Sequence, residues 1–69
     1  MSKKIYIEGM SCGHCVSHVK EALKEINGVG SVSVSLEGKF ATVELTDEVS
    51  DNALKAAIEE AGYEVTKIE

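Results

Sequence analysis

Arginine, tryptophan and proline are absent from this sequence, and only three aromatic residues occur in its 69 positions. Without arginine there is no guanidinium fork to grip phosphate. Seven lysines against twelve acids leave a formal charge of −5, so the basic stripe of a nucleic-acid-binding surface is missing as well. Nucleic acid is excluded as a partner, and the acid excess serves solubility or steers docking to a basic protein surface. Long apolar runs are also lacking. The opening stretch MSKKIYIEGM is too short in apolar residues for a signal-peptide core or a membrane span, which predicts a cytoplasmic protein with no direct membrane insertion. Cysteine occurs twice, at Cys12 and Cys15. A disulfide framework is thereby ruled out, and so short a loop would constrain the unfolded chain very little. In a reducing compartment the pair reads as a metal or redox site.

The length allows one small domain, residues 1–69. Hydrophobic period divides it into six elements. Residues 3–8 alternate, with Ile5 and Ile7 on one side and Lys4, Tyr6 and Glu8 on the other, as in a half-buried strand. Residues 9–14 read as a loop. From Cys15 the period becomes helical, with Val16, Val19, Ala22, Leu23 and Ile26 on one face and Asn27-Gly28 as the stop. Residues 31–36 and 39–45 alternate again around Glu37-Gly38, which predicts a hairpin with a two-residue loop. That register sets Val34 opposite Ala41 and Val32 opposite Val43, and it leaves Phe40 exposed beside Ser35. Ser50 caps a second helix over residues 51–61, whose Leu54, Ala57, Ile58 and Ala61 share a face, and Gly62 ends it. Residues 63–68 form a last strand whose Val65 and Ile68 have opposite parity. Strands apolar on one side only require an antiparallel sheet with one wet face and both helices on the other. The fold class is therefore α+β, a ferredoxin-like βαββαβ domain with a four-stranded antiparallel sheet.

The cysteine pair lies between the first strand and the first helix. Cys12 falls on the irregular segment and Cys15 near the first helical turn, where unpaired N–H groups and the positive helix end stabilise thiolates. Gly9 frees the turn out of the strand, and Gly13 lets the backbone bend so that both sulfurs face one ion. Structural zinc requires four protein ligands, but beyond the cysteines only His14 and His18 are candidates, and both read first as solvated histidines. Two thiolates suit a soft ion content with low coordination, which points to Cu(I).

The motif GMSCGHC, the six-element order, NGV after the first helix and AGY after the second together resemble the heavy-metal-associated domain family, in particular its small bacterial copper chaperones. The resemblance covers essentially the whole chain. It implies Cys12 and Cys15 as Cu(I) ligands, with Gly13 and His14 beside them. It further implies that Met10 packs inward beneath the loop as a core filler and that Tyr63 lies near the loop as a shield. Zinc- or cadmium-selective relatives often carry an acid where this chain has Ser11, and mercury-binding relatives are exported, so copper in the cytosol fits better.

The expected function is a carrier that binds one Cu(I) and passes it to a cysteine pair on a copper-transporting P-type ATPase or a copper-responsive regulator. The carrier is expected to be mainly monomeric, with a metal-bridged dimer as the other assembly. An excised N-terminal domain of such an ATPase would share fold and site; the start at Met1 and the end after the last strand favour a separate protein. A thiol-disulfide oxidoreductase also places Cys-x-x-Cys at a strand-to-helix junction, but it usually has the tryptophan and proline missing here. The expectation is a protein that is not an enzyme.

Overall fold

Alternation and helical period produce the elements in the expected order. The computed structural model describes residues 2–10 and 13–69, with β1 (Ser2–Glu8), α1 (Gly13–Lys24), β2 (Val29–Ser35), β3 (Phe40–Leu45), α2 (Asp51–Glu60) and β4 (Glu64–Ile68). The strands form one antiparallel sheet in the order β2-β3-β1-β4, the ferredoxin-like arrangement. Ile5, Ile7, Ala41 and Val43 from the two central strands join Val19 and Leu23 of α1 and Leu54 and Ile58 of α2 in a single buried cluster. Both helices therefore cover the same face. Burying this cluster is the main favourable term in folding.

The structure also refines the sequence expectation. The hairpin register is as expected, with Val32 opposite Val43 and Val34 opposite Ala41, but pairing stops at Ser35 and Phe40. The loop thus has four residues, 36–39, rather than two. Ser35 Oγ accepts from the Gly38 N–H at 3.1 Å, and Lys39 takes a φ of 59°. Leu36, expected in the strand, is an exposed turn residue.

Phe40 is half-buried rather than exposed. Its ring stands edge-on to Tyr6 at 5.9 Å, the Lys4 ammonium sits 4.6 Å from its centroid, and a Cβ on Gly38 would collide with it. Glycine at position 38 makes room for that ring. The packing was invisible to a one-dimensional pattern because Tyr6 and Phe40 meet only through the β1–β3 register.

The parity conflict in β4 is resolved by a bulge. Tyr6 pairs with Lys67 but Ile7 pairs with Val65, so Thr66 is the extra residue. The slip lets Val65 and Ile68 both pack against the core.

Candidate metal centre

β1 carries the chain to the site, and a glycine turns it. Gly9 has a φ of +100°, which a residue with a side chain rarely adopts, and the next residue, Met10, drops into the core at 7% exposure. Met10 is therefore a packing residue of the core. Cys12, and Ser11 where some relatives carry an acid, lie outside the described residues.

α1 begins at Gly13, two residues earlier than expected from the period. Gly13 is consequently the first residue of a helix rather than a bend. It has no positive φ, and a Cβ there would meet nothing within 4 Å. His14 is helical and exposed, as is His18 one turn on. Cys15 is the third helical residue, half-buried and packed against the core, one turn before the fully buried Val19. The first turn of α1 carries no acidic residue. The partial positive charge of a helix N-terminus is thus not shared there with a carboxylate.

Tyr63 reaches the site from the opposite end of the chain. It follows α2, its N–H donates to the Ile58 carbonyl at 3.2 Å, and its ring packs against the core. A Cβ on Gly9 would lie 3.5 Å from Tyr63 Cδ1, so the aromatic ring rests directly on the turn that leads into the cysteine motif. The structure thus brings Gly9, Met10, Cys15 and Tyr63 to one end of the sheet and leaves the His14 and His18 side chains in solvent.

Sequence reasoning did not single out the acids around Tyr63. Glu8, Glu59 and Glu64 line a shallow depression with Gly9, Gly62 and Tyr63. The signal was the antiparallel closure of β1 on β4, which pairs Glu8 with Glu64. No group of three or more His, Cys, Asp or Glu side chains is arranged to hold a metal among the described residues. No helix among the described residues is long and apolar enough to cross a membrane.

Comparison with known proteins agrees with this geometry. The heavy-metal-associated domain profile matches residues 4–64. The chain is 48% identical over 67 residues to the copper chaperone CopZ of Staphylococcus aureus, with 94% of this chain and 98% of that protein covered. It is 45% identical over 67 residues to copper-transporting ATPase 2 of Rhizobium meliloti, where 96% of this chain spans only 8% of the ATPase. Among solved structures, a CopZ metallochaperone superposes with a TM-score of 0.90 at 43% identity, covering 96% of this chain and all of that one.

Proposed function

This chain belongs to the heavy-metal-associated domain family, and from that premise we propose that it is a cytoplasmic carrier that binds one Cu(I) between Cys12 and Cys15. It hands the ion to a cysteine pair on a copper-transporting P-type ATPase or a copper-responsive regulator. The observation that carries the reading is the placement of Cys15 in an acid-free first helical turn, at the end of the sheet where Gly9 and Tyr63 meet. Likeness to a copper chaperone supports the carrier reading. The match within a copper ATPase supports the second reading, a metal-binding domain of such a pump, which uses the same fold and ligands.

Two thiolates leave Cu(I) open to a third. An incoming partner thiol loses its proton and adds to the ion, giving a three-coordinate bridge. The partner's second thiol then loses its proton and forms a Cu–S bond as one carrier Cu–S bond breaks, the remaining carrier bond breaks to leave the ion on the partner's two thiolates, and each released carrier thiolate takes up a proton. Copper stays Cu(I) throughout, so no oxidant, reductant or catalytic turnover is involved. Cys15 is anchored by its place on α1 one turn before Val19, whereas Cys12 is flanked in sequence by Ser11 and Gly13. We therefore assign the bridging role to Cys12 and the first release to Cys15. Glu8, Glu59 and Glu64 beside Tyr63 suit a partner with a basic rim.

The test mixes the Cu(I)-loaded protein with the apo N-terminal domain of a copper ATPase under anaerobic conditions and separates the two by chromatography. The wild type should pass copper to the domain. Cys12→Ser should abolish a copper-bridged complex, and Cys15→Ser should hold copper less well yet still trap the mixed complex. Equal loss in the two variants, or retention only in Cys12→Ser, overturns the order of release. Absence of transfer by the wild type, together with robust insulin reduction in dithiothreitol, overturns the carrier in favour of a redox enzyme.

A further inference from the structure

The two edges of the sheet are guarded unequally. β4 is a five-residue edge interrupted by the bulge at Thr66 and carrying Glu64 and Lys67, the latter paired with Glu69 at 3.1 Å. Charges and bulges of this kind keep an edge from pairing with another chain. β2, at the opposite edge, reads VGSVSVS and is regular over residues 31–35 beyond a register shift at its start, with no charge and no proline, and among the described residues its only strand neighbour is β3. From this contrast we infer that β2 is a self-pairing edge, and that two copies of the chain associate through antiparallel β2–β2 contact, independently of metal.

The sequence of the edge identifies the occupant. Residues 31–35 read Ser-Val-Ser-Val-Ser, a palindrome centred on Ser33. A two-fold interface requires a surface complementary to itself. Antiparallel pairing about Ser33 sets Ser33 opposite its own copy, Val32 opposite Val34 and Ser31 opposite Ser35. Val32 is buried and Val34 packs against the core, so the pairing continues the apolar layer on the helix side while the serines line the wet side.

The charge pattern permits the approach despite the net −5. On β3, Glu44 stands beside Ser31, Thr42 beside Ser33 and Phe40 beside Ser35. Across the joined sheet the rows therefore run Glu44-Ser31-Ser35-Phe40 and Thr42-Ser33-Ser33-Thr42, and the two Glu44 carboxylates fall at opposite corners. No like charges face one another across the seam. The register slip between Val29 and Ser31 ends the flat segment on one side and the loop after Ser35 ends it on the other. A contact this short buries less than the roughly 1,200 Å² of a stable interface, so the dimer is weak and forms only at high protein concentration.

The test is sedimentation equilibrium of metal-free, reduced protein up to about 1 mM, where affinities of a few kcal/mol are measurable. A chelator and a reductant remove copper- or disulfide-bridged species. The wild type should show a reversible monomer–dimer equilibrium, with slower amide exchange in residues 31–35 as concentration rises. Ser33 is exposed on the wet face, so Ser33→Lys and Ser33→Glu leave the fold intact. Each alone places like charges opposite one another and should weaken the dimer about two- to fivefold, and an equimolar mixture of the two should restore it. A wild type that stays monomeric, a dimer indifferent to either substitution, or a mixture without recovery overturns the inference.

Discussion

The two helices begin in opposite ways. The start of α2 is closed by side chains: the Ser50 hydroxyl accepts from the Ala53 N–H at 3.2 Å, Asp51 occupies the first turn, and Lys3 of β1 pairs with that carboxylate. α1 starts at a glycine, carries no acid in its first turn and places a cysteine third. Both helices bury two residues in the same core, Val19 and Leu23 on one and Leu54 and Ile58 on the other. The difference lies in the anion each N-terminus is given. One helix start is spent on stability, and the other is the one we propose serves the thiolates.

Breaking the functional end should have the largest effect. Cys15→Ser or Cys12→Ser removes one of only two thiolates, and Cu(I) affinity should fall by more than about a hundredfold, beyond the loss typical of outer-sphere partners. Chelator competition measures this. The folded apo protein should survive either change, because the buried cluster is assembled from other residues.

Breaking the shared core comes next. Leu54→Ala removes a fully buried side chain and should cost about 2–5 kcal/mol in urea unfolding, while the fraction that remains folded still binds one Cu(I). Loss of copper stoichiometry in the folded fraction would mean that the site and the α2 core are coupled.

Smaller effects distinguish the two helix starts directly. Ser50→Ala should lower stability by about 1 kcal/mol and leave copper binding unchanged. His14→Asp places a carboxylate in the first turn of α1 at an exposed position, making that end resemble α2. It should raise apo stability by about 0.3–1 kcal/mol and weaken Cu(I) binding a few-fold, since the new anion competes with the thiolates for the helix end. Paired urea and copper titrations on this variant would sharpen the contrast.

Much of this contrast can be read from the linear chain. Alternation in β1 and β3, the Ser50 cap and the hairpin register follow from periods and pairings only a few residues apart. What could not be read depends on contacts between distant segments. The bulge at Thr66 exists because β4 must seat Val65 and Ile68 on a β1 already in register with β3. Phe40 is covered because Tyr6 arrives across the sheet, and the acids around Tyr63 gather because β1 and β4 close side by side. At the site, the turn at Gly9 was legible from residue type and position, while Cys12 lies outside the described residues. The start of α1 at Gly13 was not, because glycine and histidine give no helical signal by themselves.

The central proposal is that Cys12 and Cys15 hold the ion as a two-thiolate pair. Its most direct test is competition for Cu(I) against a calibrated chelator, run beside the same titration with Zn(II). The account predicts one Cu(I) per chain and much weaker zinc binding, because half of a tetrahedral zinc shell would have to come from water or buffer. Comparable affinities for the two ions would contradict it.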